Sequence, residues 1–399
     1  MTPVTHRARW VMVEPGHWVE NGRVVVMGNR ILDVQSGTPK ATEGSVIDHG
    51  DGILMPSLVN AHTHITLSDA ARNQSSEGFL KWVESLIKNR NSQSSEDALK
   101  TVQRGIATLK ASGTALVGEF GPHIPVADAF EGAGLAATIW IECLGNDREL
   151  QPLPPNAKGI CHAFAGHAPH TTSPVLLKRV QKANERLKQR FSFHLAESRE
   201  ELEFIQTGKG AWADFMTRMG IDFSGWESLG KRPVQMALDT KLLDQNTIAV
   251  HLLEINKKEM AALAETGAHI CLCPRSNWML HEKLPDIEGF LKAGIQPALG
   301  TDSLASAPTL SLFDEMRFIR NHYPALSPDV ILRMGTVNGA KALGYPDLGT
   351  LRPGNHSTMI YLDVDVKSPK EAAETIVSAN HLDLDPIFDD MQNGGPHAF

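Results

Sequence analysis

Two histidines separated by one residue, His62 and His64, end an apolar segment in the sequence PSLVNAHTHITL. In an extended chain, residues two apart point to the same face, so both imidazole rings can reach one point. This spacing is typical of a metal site, because imidazole nitrogen is a common ligand of transition metals. Two polar histidines at the end of a strand would be an equally good interpretation of this short motif alone. The rest of the sequence has to decide between the two.

Three more side chains of metal-ligating type follow other apolar segments: His194 in FSFHL, His251 in NTIAVH and Asp302 in IQPALGTDS. Three imidazoles and one carboxylate around a single ion, with one position open to water, suit Zn²⁺ or Fe²⁺ in a catalytic site. A hydrogen-bonded core histidine would be the simpler interpretation of His194 or His251 alone. It does not explain why the whole set occupies matching positions.

Glu197 follows His194 by three residues in HLAES, just past the end of an apolar segment. A carboxylate at this place can take a proton from water and pass it to a heterocyclic nitrogen if its surroundings tune its pKa. Considered alone, Glu197 would be a helix-start carboxylate favoured by the helix dipole. Its position beside a candidate metal ligand favours the proton-transfer role.

The elements that must position these residues are eight short apolar segments that alternate with amphipathic helical segments. One helix is clearly predicted, with Ser173 as N-cap and Pro174 at its first position. Alternating strands and helices favour an α/β fold of the (β/α)8 TIM-barrel type, whose working residues lie at the C-terminal ends of the strands. The eight predicted strands are SLVNAHTH, GTALVGEF, LAATIWIECLG, KGICHAFAGHAPH, FSFHLAES, NTIAVHLLE, AHICLCPRSN and IQPALGTDS.

The two ends of the chain have a different texture, rich in Val, Ile and turn residues without a helical period. We therefore expect residues 1–51 and 346–399 to form one small β-sandwich domain, with a barrel over residues 52–345.

The composition favours a small-molecule substrate. The chain has 399 residues, 42% of them hydrophobic, and a formal net charge of -8. It contains no run of basic residues of the kind that binds the phosphate backbone of nucleic acids. The sequence predicts neither a signal peptide nor a membrane span, so we expect a cytoplasmic protein. Its four cysteines are too few for a disulfide framework and are expected to be reduced. A homodimer is left open.

Together, these segments resemble the amidohydrolase superfamily, in its mononuclear branch of purine-type aminohydrolases. The similarity covers nearly the whole chain, from the His-x-His motif through GHAPHTTSP, HLAES, His251, CPRSN and GTDSLAS to GTLRPGN. The segment NHSTMIYLD departs from the commoner Ala-Asp-Leu version of the family, but it lies in the β domain.

The resemblance implies a role for each residue of the site. It implies that one divalent ion is held by His62, His64, His194 and Asp302, with Glu197 as the proton shuttle. A single ion is expected because the strand-four segment FAGHAPH offers no lysine of the kind that bridges two metals in related barrels.

Further residues are assigned on the same basis. His251 acts with Asp302 to orient the hydroxide and the tetrahedral intermediate. His167 resembles a substrate-binding histidine, in a motif that usually has tyrosine where this chain has His170, and Asn277 of CPRSN is a further substrate-binding candidate.

Within the branch, the sequence is most similar to aminodeoxyfutalosine deaminases of menaquinone biosynthesis and also similar to S-adenosylhomocysteine/methylthioadenosine deaminases. The latter usually place a ribose-binding glutamate near positions 89–91, and arginines at the positions of Cys143 and Leu144. Trp82 and Arg90, in FLKWVESLIKNR, are candidates for substrate contacts, although both suit an ordinary amphipathic helix.

Other functions are weighed against this one. Guanine and triazine aminohydrolases would use the same site, and a catalytically inactive barrel serving as a scaffold is a remote alternative because no site residue is missing. A cytidine-deaminase type of zinc site is disfavoured because the sequence lacks a Pro-Cys-x-x-Cys motif.

Overall fold

A computed structural model of the protein describes residues 2–38, 44–68, 78–92, 94–121, 126–156, 159–224, 226 and 230–387. The strands in these ranges are β1 (Val4–Glu14), β2 (His17–Met27), β3 (Arg30–Ser36), β4 (Ser45–Asp48), β5 (Ile53–Pro56), β6 (Leu58–Thr63), β7 (Thr114–Gly121), β8 (Ala136–Cys143), β9 (Ile160–Gly166), β10 (Phe191–Leu195), β11 (Thr247–His251), β12 (His269–Leu272), β13 (Ala298–Leu299), β14 (Met359–Leu362) and β15 (Leu384–Ile387).

The helices of the same ranges are α1 (Phe79–Ser92), α2 (Ser95–Ala111), α3 (Val126–Ala133), α4 (Pro174–Leu187), α5 (Arg199–Thr207), α6 (Ala211–Arg218), α7 (Pro233–Asp239), α8 (Lys257–Ala264), α9 (Pro274–His281), α10 (Ile287–Lys292), α11 (Leu312–His322), α12 (Pro328–Met334), α13 (Val337–Leu343) and α14 (Pro369–Ser378). The predicted α4 begins as expected, because the Ser173 side chain accepts a hydrogen bond from the backbone N–H of Leu176. None of the helices is long and apolar enough to cross a membrane.

Strands β6 to β13 form one parallel sheet of eight strands in sequence order. Each of them falls on one of the eight predicted segments, so the TIM-barrel prediction is confirmed. The sheet closes where Thr63, at the end of β6, pairs in parallel with Asp302. The backbone N–H groups of Thr301 and Asp302 each donate a hydrogen bond to the carbonyl oxygen of His62, both at 3.1 Å. The C-terminal strand ends therefore form a continuous ring.

The small β domain is one mixed sheet in the order β15-β14-β5-β1-β2-β3, with β4 also paired to β1. Antiparallel pairing of β14 with β5 joins the two ends of the chain, as predicted. β5 lies in this sheet, so the small domain extends past the boundary expected at residue 52 and ends where β6 begins. The predicted sandwich is a single hydrogen-bonded sheet in the part of the chain that the structure describes.

Two clusters of buried hydrophobic side chains involve the barrel strands. One contains side chains such as Val59, Leu116, Trp140 and Ile248. The other is larger and combines strand residues with residues of many of the helices. All four cysteines are buried and free.

Candidate active site

Three histidines converge at the C-terminal end of the barrel. Nε2 of His194 lies 3.2 Å from Nε2 of His62. It lies at the same distance of 3.2 Å from Nε2 of His64. All three side chains are buried, and their ligand atoms lie within 4.8 Å of one another. The structure thus brings together His62 on β6, His64 directly after β6 and His194 on β10.

Asp302 adds a carboxylate to this cluster. Its Oδ1 atom lies 3.8 Å from Nε2 of His62 and 3.8 Å from Nε2 of His64. Its Oδ2 atom accepts hydrogen bonds from Ser276 Oγ at 2.5 Å and Ser306 Oγ at 2.8 Å. The two serines fix the carboxylate with Oδ1 turned toward the histidines.

The electrostatics of the cluster suit a divalent cation. Burial lowers the pKa of His62 and His194 well below the usual value, and the neighbouring imidazoles lower it further. Both rings are therefore neutral and have lone pairs available. Three imidazole nitrogens and one carboxylate oxygen form a donor set that Zn²⁺ and Fe²⁺ accept. The residues present fit a divalent metal ion.

Glu197 lies beside the cluster, between two further histidines. Its Oε1 atom is 3.8 Å from Nε2 of His251 and 3.5 Å from Nε2 of His281. Burial alone would raise the pKa of the Glu197 carboxyl, but the imidazoles of His251, His281 and His170 outweigh it and hold this pKa below its usual range. The side chain is therefore an ionised carboxylate that can accept a proton.

Glu201, one turn into α5, holds the backbone that carries Glu197. Its two carboxylate oxygens accept hydrogen bonds from the N–H groups of Ala196 at 2.9 Å and Glu197 at 2.8 Å. His170 Nδ1 lies 3.6 Å from the same carboxylate. The histidine that replaces the usual tyrosine of the related motif therefore contacts this support.

His251 is oriented by Asn277. The Asn277 side-chain amide lies 2.9 Å from Nδ1 of His251. When the amide donates to Nδ1, the ring proton is on Nε2, which faces Glu197. Asn277 is fully buried, so the structure places this predicted substrate-binding residue behind His251 and not on the cavity wall.

The backbone is unusual at the same strand ends. Ala196, His251, Leu252 and Asp302 have φ values of 53°, 75°, 53° and 58°. Residues with a Cβ rarely adopt this left-handed region, at a typical cost of about 1–3 kcal/mol each. Such conformations cluster at functional sites because the surrounding structure must enforce them.

A cavity of about 420 Å³ opens in front of His64, His194, Glu197, His251 and Asp302, a volume in the range of small-molecule sites. Much of the wall away from these residues is apolar and includes Phe79, Trp82, Trp212, Phe215, Met216 and Trp226. The charged lining residues that the structure describes, apart from the histidines, are Glu142, Glu197 and Asp302.

The predicted substrate contacts have different outcomes. His167 lines the cavity, with Nδ1 2.6 Å from Thr171 Oγ1. Trp82 also lines it, and its indole N–H donates to the carbonyl oxygen of Ala305 at 2.9 Å. Arg90 belongs to α1, but its side chain lies outside the described part of the structure.

Several residues around the site were not identified from the sequence. Ser276 lies in the motif CPRSN and Ser306 in the motif GTDSLAS, so these motifs could have pointed to the two serines. Glu142, Glu201 and His281 had no signal, because their roles depend on contacts between distant segments.

Glu119, at the end of β7, is a further buried carboxyl that the sequence analysis missed. It accepts hydrogen bonds from Thr63 Oγ1 at 2.6 Å and from the Ile65 N–H at 3.0 Å. Burial raises its pKa to about 8, although these hydrogen bonds oppose the rise. Glu119 is therefore protonated at neutral pH and supports the loop that follows the His-x-His motif.

Replacing Glu119 with glutamine should flatten the dependence of stability on pH. Between the unfolded pKa near 4.5 and the folded pKa near 8, only the folded wild type keeps this proton, so its stability falls as pH rises. The glutamine variant mimics the protonated acid and loses this contribution. Melting temperatures between pH 5 and 8 measure the difference, and parallel curves for the two proteins would contradict it.

Comparison with known proteins places this architecture in one family. The sequence profile described as "Amidohydrolase family" matches residues 53–397. The chain belongs to the amidohydrolase family.

Relatives and solved structures of similar extent are deaminases and triazine hydrolases. A 5-methylthioadenosine/S-adenosylhomocysteine deaminase of Bacillus cereus is 26% identical to this amidohydrolase over 396 residues, covering 92% of this chain and 86% of the relative. The crystal structure of Helicobacter pylori aminofutalosine deaminase with methylthio-coformycin matches with a TM-score of 0.83 and 21% identity, covering 98% of this chain and 99% of that one. A zinc complex of an atrazine chlorohydrolase from Arthrobacter aurescens matches with a TM-score of 0.79 and 17% identity, covering 97% and 94%.

These similarities define the general class of reaction. At such identities the solved structures establish the fold alone. Membership in the family and the deaminase relatives make this amidohydrolase a hydrolase acting on C–N bonds.

Proposed function

We propose that this amidohydrolase deaminates an adenine nucleoside, using one divalent ion held by His62, His64, His194 and Asp302. The observation that carries the proposal is the convergence of three histidine Nε2 atoms and the Asp302 carboxylate beside the ionised Glu197. A cavity of about 420 Å³ in front of them has room for a small molecule.

The residues divide the chemistry of deamination among them. A divalent ion at this site supplies Lewis acidity that makes water nucleophilic near neutral pH. The water oxygen bonds to the aminated ring carbon, while Glu197 accepts one water proton and passes it to the adjacent ring nitrogen. His251 presents its Nε2–H to the oxygen that is added. The second proton of the water goes to the amino group, the C–N bond breaks and ammonia leaves.

The proposed stoichiometry is one Zn²⁺ or Fe²⁺ per chain. The segment FAGHAPH on β9 provides no lysine that could bridge two ions. The zinc complex of the similar atrazine chlorohydrolase supports zinc as the first candidate.

For the substrate, we propose aminodeoxyfutalosine, which would place the enzyme in cytoplasmic menaquinone biosynthesis. The large aromatic wall of Phe79, Trp82, Trp212 and Trp226 suits an aryl group on the 5′ side of the nucleoside. The similarity in fold to an aminofutalosine deaminase along the whole chain supports the same choice.

Methylthioadenosine is the second candidate, for a specific reason. Its 5′ group is small and apolar, whereas the aryl carboxylate of aminodeoxyfutalosine needs a cation or hydrogen-bond donors. The described lining of the cavity contains neither lysine nor arginine. Arg90 in α1 is the candidate cation for the carboxylate.

Ammonia release from purified enzyme tests the proposal. We expect the highest kcat/KM for aminodeoxyfutalosine among that nucleoside, methylthioadenosine, S-adenosylhomocysteine, adenosine, guanine and triazines. A preference of tenfold or more for methylthioadenosine, about 1.4 kcal/mol in transition-state binding, would select the second candidate. Turnover of guanine or triazines alone would refute adenine-nucleoside deamination.

Replacing Arg90 with alanine should then lower kcat/KM for aminodeoxyfutalosine by about tenfold or more and leave adenosine unaffected, because only the first substrate has a carboxylate to pair. The matched control is Lys88→Ala, which removes an exposed cation from the same helix. Equal losses on both substrates would show that Arg90 is structural.

A further inference from the structure

One short helix, α9, approaches three residues of the proposed active site: Asp302, His251 and Glu197. Ser276 Oγ donates to Asp302 at 2.5 Å, and the Asn277 amide lies 2.9 Å from His251. His281 Nε2 lies 3.5 Å from Glu197. Asn277 and His281 are four residues apart and therefore lie on the same face of the helix, one turn from each other.

The surroundings of His281 fix its ring. Its centroid lies 4.8 Å from that of Phe79. Its Nε2 atom is buried and has no hydrogen-bond partner among the described residues, and Oε1 of Glu197 lies 3.5 Å from it. A buried ring N–H is costly without an acceptor. Oε1 of Glu197 is a nearby carboxylate oxygen that can serve as this acceptor.

His281 also lines a second cavity. A second cavity of about 1030 Å³ is lined by His281 and shares Phe79 and Trp82 with the substrate cavity. Its charged lining residues include Arg199, Glu200, Glu254 and Lys283. The Lys283 ammonium pairs with Glu254 at 2.8 Å. His281 thus lies close to Glu197 and also lines this charged cavity.

We propose that His281 is a positioning residue for Glu197, donating its Nε2–H to Oε1 and leaving Oε2 free for the water and the ring nitrogen. The inference rests on the proposed role of Glu197 as proton shuttle. Because a carboxylate can rotate about its last bond, one fixed oxygen defines the direction of the other. Three contacts from α9 then fix the positions of the Asp302, His251 and Glu197 side chains relative to one another.

Replacing His281 with asparagine and with glutamine tests where the hydrogen-bond donor to Glu197 must lie. The side-chain nitrogen of glutamine can occupy the place of His Nε2, whereas the shorter asparagine cannot reach it. We expect His281→Asn to lower kcat about tenfold or more, with KM within twofold of wild type. His281→Gln should recover most of this loss. Met279→Gln is the matched control, because Met279 lines the second cavity and is 51% exposed.

Metal content by elemental analysis and melting temperature are measured for every variant. Equal kcat values for wild type and His281→Asn, equal losses in both amide variants, a change confined to KM, or loss of metal in His281→Asn would each overturn the positioning role. The substrate is whichever one the wild type turns over fastest in the ammonia screen. Absence of adenine-nucleoside turnover by wild type would refute the proposed function separately, because the comparison of variants remains readable on another substrate.

Discussion

Glu197→Gln should lower kcat by about 10²- to 10⁴-fold while the bound metal and the melting temperature stay at wild-type values. The amide keeps the shape of the side chain but cannot accept and return a proton, and general acid–base groups commonly contribute this factor. The carboxylate is ionised in the folded protein because the imidazoles of His251 and His281 lower its pKa. The variant should retain substrate binding, so KM changes less than kcat.

Steady-state kinetics and elemental analysis of the same preparation measure these effects. Glu200→Gln is the matched control, since Glu200 is a nearby carboxylate that lines only the second cavity. Loss of metal together with activity would indicate that Glu197 is a ligand. Near wild-type turnover would remove Glu197 from the mechanism.

His194→Ala should reduce bound metal from one equivalent per chain to a small fraction, and activity should disappear with it. Nε2 of His194 lies 3.2 Å from Nε2 of His62 and 3.2 Å from Nε2 of His64. Its removal therefore takes away the ligand atom that lies close to both of the other histidines. Chelation should lower the melting temperature of the wild type, because an ion bound only by the folded state stabilises it. It should have little effect on the variant.

Elemental analysis and thermal unfolding with and without a chelator test this prediction. His381→Ala serves as control, because the His381 side chain is 83% exposed and remote from the cluster in sequence. Two equivalents of metal needed for full activity, or full activity after complete chelation, would contradict the single-ion proposal.

The barrel could be predicted because its strands end in polar residues after short apolar segments, as at His62, His194 and His251. Burial on both faces makes such strands apolar along their length. The helices between them show a different, helical spacing of hydrophobic residues. The local rules for helix starts also sufficed, as at Ser173. The same rules could not place β5, whose segment ILMP is as apolar as a barrel strand.

The parts of the site that could not be predicted depend on contacts between distant segments. Glu119 is one carboxyl among many in the sequence, and only the fold brings it to the N–H of Ile65. His281 is separated from Glu197 by a large part of the barrel, so helix periodicity alone could not pair them. The aromatic cavity wall likewise combines α1 with α6 and the segment after it. The shape of the cavity depends on these contacts between distant segments, so the reaction class was easier to infer from the sequence than the substrate.

The closure of the sheet between β6 and Asp302 joins residues that are synthesised far apart in time. The ribosome delivers His62, His64 and His194 well before Asp302, and the two sides of this closure are joined by hydrogen bonds to the carbonyl oxygen of His62. A chain that ends before Asp302 lacks the carboxylate of the proposed donor set, although it contains all three histidines. We therefore expect such a truncated chain to hold the ion less tightly than the full chain.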